Sequence, residues 1–158
     1  MILAIHAITG AVVSANAGNI TEAAFLGLVS HYLIDSIPHT DYELKQLKNN
    51  SIKTSFREYL KIAADLLIGG IVILFFLIRR NFSGVILVLT GAFFGLLPDG
   101  LTFLDCQIKD KNKNLFTRSL AIINAFHEKM HSLNKNKKIA AILQLIYIAL
   151  LIFLIFSL

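Results

Sequence analysis

The sequence predicts an all-α, polytopic integral membrane protein, with about five transmembrane helices and one amphipathic helix at the cytoplasmic surface. Three observations lead there. Apolar residues make up 56% of the chain and come in long blocks rather than as stripes, and the mean hydropathy of +0.69 exceeds that of an ordinary soluble domain. Three of the blocks approach or reach the ~20 residues that a helix needs to cross hydrocarbon. The basic residues gather in the segments that such a topology leaves on one side. At 158 residues the chain is expected to be a single membrane-embedded helical domain, 1–158.

Residues 2–17 are apolar apart from His6, Thr9, Ser14 and Asn16, and suit a short membrane helix. They lack the basic region and small-residue cleavage site of a secretory signal, so this segment is expected to be retained. Asn16-Ala17-Gly18-Asn19 has turn chemistry. Residues 20–37 form a second apolar helix, antiparallel to the first, which Pro38 should stop. Residues 39–58 are polar and mixed in charge, a loop or surface helix. A third span covers 60–78, interrupted by Asp65, and turns at Arg79-Arg80-Asn81. A fourth covers 83–104 and contains Leu96-Leu97-Pro98-Asp99-Gly100. A Lys/Asn/Asp-rich linker, 105–116, leads to an amphipathic helix over 117–133, with Leu120, Ile123, Phe126 and Met130 at helical spacing. Residues 139–158 are a final uninterrupted span.

If every span crosses, thirteen of the fifteen basic residues lie on one side and only Arg79 and Arg80 on the other. The positive-inside rule makes the thirteen-charge side cytoplasmic, with the N-terminus on it, in the inner membrane. The net charge of +5 is then topology plus attraction to anionic lipid headgroups; the bilayer is the expected partner, and no nucleic acid is expected. Cys106 is the sole cysteine, which leaves no intrachain disulfide and suits a reducing compartment.

The densest chemistry lies in His31-Tyr32-Leu33-Ile34-Asp35-Ser36-Ile37-Pro38-His39-Thr40-Asp41. His31 and Asp35 are four apart and share a helix face; beyond Pro38, His39 and Asp41 should swing over the helix end. The topology brings His6, Asp65, Asp99, His127 and His131 to the same cytoplasmic layer. Each has an ordinary structural reading when taken alone: His6 as an interfacial histidine, Asp65 as a carboxylate favoured by a helix N-terminus, Asp41 and Asp110 as loop acids. Nine ligand-type groups on one level exceed what an interface needs, and ionisable residues in membrane segments usually mark function. His6, His31, Asp35, His39, Asp41, Asp65, Asp99, His127 and His131 are therefore the candidate metal ligands. Imidazole with carboxylate suits zinc, manganese or iron. The number of groups suits two or three ions with bridging carboxylates, or one or two ions plus residues that orient the ligands.

His127-Glu128-Lys129-Met130-His131 also reads H-E-x-x-H, two zinc histidines and a general-base glutamate on a helix. No Asp or Glu follows Glu128, so a downstream acidic third ligand is absent. Asp99-Gly100 resembles the Asp-Gly motif of membrane-embedded site-two proteases but stands upstream. A zinc metallopeptidase on this motif is the alternative reading.

The order of these motifs (an early His, His-x3-Asp into Ile-Pro-His-x-Asp, an Asp in a hydrophobic helix, Leu-Leu-Pro-Asp, a late His-x3-His) resembles a family of small membrane proteins. These are the membrane-bound predicted metal-dependent hydrolases, which include a LexA-regulated inner-membrane member. The resemblance covers roughly 4–133. The spacings are also similar, more distantly, to those of zinc-dependent phospholipase C and P1 nuclease, which implies a multi-zinc site for phosphodiester hydrolysis. In the family a further Asp-His often follows Pro-Asp, where this chain has Gly100-Leu101-Thr102. The function expected is a metal-dependent hydrolase of phosphoester bonds, including those of phospholipids, with an anionic substrate held by the basic loops. In that scheme His31, Asp35, His39, His127 and His131 are ligands, and Asp65 and Asp99 bridge or act as base. A third reading is a non-enzymatic metal-binding or transport protein. Phosphatidic-acid-type phosphatases are disfavoured, since Lys-x6-Arg-Pro and Pro-Ser-Gly-His are missing. Five histidines without an adjacent pair likewise disfavour di-iron desaturases.

Overall fold

The computed structural model describes residues 3–39, 52–108, 115–130 and 137–157. These form six α-helices: α1 (Leu3–Ser14), α2 (Ile20–Asp35), α3 (Ile52–Arg79), α4 (Val85–Gln107), α5 (Leu115–Met130) and α6 (Lys137–Ser157). Among the described residues there is no strand. Every expected helix is present. The largest differences are at two ends: α3 starts inside the polar 39–58 segment, and α4 runs through Pro98 three residues past Leu104.

Three helices are long and apolar enough to cross a membrane: Phe56–Arg79, Val85–Asp105 and Lys138–Ser157. At 1.5 Å per residue they measure about 36, 31 and 30 Å, against a hydrocarbon core of about 30 Å. Their outer faces carry Leu67, Ile68, Phe75, Ile86, Phe93, Leu145 and Phe153, all exposed, an apolar belt far larger than a water-soluble surface tolerates. The chain is thus a helical membrane protein. The 12-residue α1 and 16-residue α2 reach only about 18 and 24 Å.

The shortest helix is the centre of the bundle. Every residue of α1 except Leu3 and Val13 is buried, as expected of a helix that is apolar all round. It packs against α2, α3 and α4 and touches α6, while α4 packs on α1, α2 and α5. Ala7, Ala11 and Val12 of α1 meet Phe76 and Leu77 of α3, Val88 and Ala92 of α4, and Leu151 and Ile155 of α6 in the main core. Thr9 Oγ1 and Tyr147 Oη, 2.7 Å apart, tie α1 to α6. The α1–α2 turn is held by reciprocal capping: the Glu22 N–H donates to Asn19 Oδ1 (2.9 Å), and Glu22 Oε2 accepts from the Gly18 N–H (2.8 Å). Ser14 Oγ donates to the Ala23 carbonyl.

Close approach of α1, α2 and α4 depends on glycine. A methyl group on Gly10 or on Gly27 would run into the Gly91 carbonyl, and one on Gly91 into Gly10 and the Ser14 side chain. One turn further on, a Cβ at Gly95 would lie 2.6 Å from the His6 carbonyl. Gly91-x3-Gly95 is thus the small-residue face that lets membrane helices touch backbone to backbone.

Candidate metal centre

The glycine contacts fix a register that runs in turns. Helices α2 and α4 lie parallel, with Gly27 beside Gly91, His31 beside Gly95, and Asp35 near Asp99; α1 runs the other way, with Gly10 and then His6 at the first two levels. Each series advances by four residues and so stays on one helix face. The glycine level sets the spacing, and the histidine level one turn above inherits it. Helix α5 closes the top with His127.

His6, His31, Asp35 and His127 are all buried, the first three to 0% exposure, and Asp99 is 22% exposed by its side chain. Asp35 Oδ2 lies 2.8 Å from His127 Nε2 and 3.1 Å from His31 Nε2, and those two nitrogens are 3.1 Å apart. Asp35 Oδ1 lies 3.2 Å from His6 Nε2. Asp99 reaches the same group, with Oδ1 3.7 Å from His127 Nε2 and Oδ2 3.9 Å from His6 Nε2. Two sets of donors, His31/Asp35/His127 and His6/His31/Asp99, each lie within 4.8 Å.

Protons decide what this arrangement is for. The Gly95 carbonyl can only accept, so His31 Nδ1, 2.7 Å from it, carries the hydrogen. A neutral His31 therefore directs the Nε2 lone pair at Asp35 and His127. His127 Nδ1 is held by Thr102 Oγ1 at 2.9 Å. Burial opposes charge on His127, but the hydrogen bond to Asp35 and the charges of Asp99 and Asp35 outweigh it and hold its imidazole above the ordinary range. With His31 and His127 both neutral and their hydrogens on Nδ1, two Nε2 lone pairs and the Asp35 carboxylate face one another, an arrangement that a cation satisfies. The 2.8–3.1 Å edges are also close to the donor–donor spacing that metal–ligand bonds of about 2.0–2.1 Å require. The Gly95 carbonyl and the Thr102 hydroxyl are the outer partners that fix ring orientation in metal sites. The residues present fit a divalent ion.

Thr102, on α4, holds the ring of His127, on α5, through this 2.9 Å contact. Thr102→Val is expected to weaken metal affinity 10- to 100-fold, the usual cost of losing an outer partner, with Thr102→Ser restoring it; competition against a chelator of known affinity measures both.

The remaining candidates are placed as follows. Asp65, on one side of α3, accepts from the Ala4 N–H at 3.3 Å, one of the amides left unpaired in the first turn of α1. It belongs to neither donor set. His39 is buried, with Nδ1 2.7 Å from the Ile37 carbonyl, and also stands outside both sets. Glu128 is exposed beside the buried His127. Asp41 and His131 lie outside the described residues, and so does the loop acid Asp110.

Comparison of the chain with protein-family models, with curated proteins and with solved structures finds no match in any of the three.

Proposed function

We propose that the chain is a membrane-bound metal-dependent hydrolase of phosphoester bonds, including those of phospholipids, with its site at the cytoplasmic interface. The observation that carries the metal is the buried triangle of His31 Nε2, His127 Nε2 and Asp35 Oδ2, with edges of 2.8–3.1 Å, in which His31 Nδ1 is held by the Gly95 carbonyl at 2.7 Å. His6, His31, Asp35, Asp99 and His127 are the residues that would hold it. When bound, a divalent ion such as zinc, manganese or iron supplies Lewis acidity and lowers the pKa of water toward ~7. Asp99, the partly exposed member, holds water at the mouth of the site and takes its proton. Exposed Lys129 and Arg118 on α5 draw an anionic substrate toward His127. The order of the His and Asp motifs, with its resemblance to membrane-bound predicted metal-dependent hydrolases, supports the same reading.

Five crossings with the N-terminus in the cytoplasm complete the proposal, the short α1–α2 hairpin being carried inside the bundle. An apolar interior supports hydrolysis over transport. Ala11, Phe76 and Val88, each at most 1% exposed, pack in the bundle between the cluster and the end at which Arg80 bonds Asn16 (2.7 Å).

The test is hydrolysis of bis(4-nitrophenyl) phosphate and of phospholipid in mixed micelles, before and after removal of metal. Activity should vanish on chelation, return with zinc or manganese, survive Glu128→Gln and be lost in His31→Ala. Full activity without metal overturns the proposal; loss in Glu128→Gln with retention in His31→Ala establishes the peptidase arrangement instead.

A further inference from the structure

We propose that Tyr32 is a substrate-binding residue of this site, its phenol donating a hydrogen bond to a phosphoryl oxygen of the bound phosphoester; the inference rests on the metal-dependent reading above. The geometry begins on α2. Tyr32 follows His31 and stands three residues before Asp35, so it flanks the Asp35 face of the helix one turn away. Its ring meets His31 edge-on, with 5.4 Å between centroids at 85°, and His127 at 6.2 Å and 74°. Phe126, half-exposed on α5, closes against the same ring at 5.3 Å and 74°. Edge-on contacts of this kind are the ones that aromatic pairs prefer. His31, His127 and Phe126 thus hold the Tyr32 ring at the border of the His31/Asp35/His127 donor set.

Two features separate Tyr32 from its neighbours. It is half-buried, whereas His31 and Asp35 are completely enclosed, so it stands between the centre and the surroundings. Its hydroxyl makes no hydrogen bond among the described residues, while the carboxylates of Asp35 and Asp99 both act on it through space. The phenol is close enough to both acids to feel their charge and is bonded to neither.

A phosphoryl group presents several acceptor oxygens, and those that an ion does not engage need hydrogen-bond donors. The residues already placed supply few. Asp35 and Asp99 as carboxylates only accept. The His31 Nδ1 hydrogen is taken by the Gly95 carbonyl, and His127 Nδ1 is held by Thr102. His6 is sealed at 0% exposure. The Tyr32 O–H is the uncommitted donor, and a phenol, which ordinarily titrates at about pH 10, keeps its hydrogen at neutral pH. The bond tightens in the transition state, where charge spreads over the equatorial oxygens of the transferring group.

The test compares wild type with Tyr32→Phe, which keeps the ring and its edge contacts and removes one oxygen. Hydrolysis of bis(4-nitrophenyl) phosphate should lose about 100-fold in kcat, the lower end for removal of one donor to a developing oxyanion. KM, bound metal and thermal unfolding should change little. Inhibition by orthovanadate, which mimics the five-coordinate phosphoryl group, should weaken by a comparable factor. A Tyr32→Phe variant with wild-type kcat and vanadate affinity overturns the role of Tyr32 and leaves the metal-dependent reading standing. Loss of metal or of thermal stability in step with activity assigns the phenol to packing and also overturns it. Wild type without metal-dependent hydrolysis overturns both.

Discussion

Asp35→Asn is expected to strip the protein of bound metal and of hydrolytic activity while leaving the helices in place. Asp35 is buried between His6, His31 and His127, with both oxygens within 3.2 Å of imidazole nitrogens. An amide of the same shape loses the negative charge and turns an N–H pair toward one of those rings. Loss of an outer partner typically costs 10- to 100-fold in metal affinity or activity, so a residue at the centre of the ligand group should exceed the upper end, about 100-fold. Asp65→Asn is the comparison: its carboxylate meets the Ala4 amide, and a neutral amide oxygen still accepts that bond. Metal content and turnover, read beside circular dichroism, separate the two. Equal metal loss in both variants would place Asp65 among the ligands.

Gly91→Ala is expected to be the most damaging small substitution outside the cluster. Its methyl group would enter the space of the Gly10 backbone and of Ser14, and backbone cannot move aside by changing rotamer. Overpacking ordinarily costs about 1–3 kcal/mol, sometimes more, and this site belongs at the upper end. Gly70 and Gly100 have nothing within 4 Å of an added Cβ, so Gly70→Ala and Gly100→Ala should be neutral or stabilising, since alanine is favoured over glycine in helices by up to about 1 kcal/mol. Thermal unfolding in detergent gives the comparison. Because the glycine level sets the spacing of His6, His31 and Gly95 one turn above, Gly91→Ala should also lower metal affinity. A Gly91→Ala variant as stable and as metal-competent as wild type would contradict the register described here.

The helices were readable from the sequence because hydropathy blocks and Pro, Gly and Asn punctuation carry that information locally. The convergence of His6, His31, Asp35, Asp99 and His127 was readable for another reason: five alternating spans, as proposed above, would send all of these residues to one side. What the linear pattern concealed was depth within the layer. Asp65 shares the level of the others but stands on α3, which packs beside α1 and away from α2, so its carboxylate meets an amide. The pairing of Gly27, His31 and Asp35 with Gly91, Gly95 and Asp99 was present as two series of residues four apart. Its meaning depends on α2 and α4 lying parallel and in register, which is a property of packing. Thr102 gave no signal at all, because a threonine in an apolar helix is ordinary until His127 from another helix meets it.

Metal-edge X-ray absorption of the purified chain tests the central claim most directly, because it reports the ligands themselves. A buried His/Asp centre predicts a first shell of nitrogen and oxygen at about 2.0–2.1 Å with outer-shell scattering from at least two imidazoles and no sulfur. A sulfur shell near 2.3 Å, for which Cys106 is the sole cysteine source, or the absence of any bound metal after reloading, would contradict it.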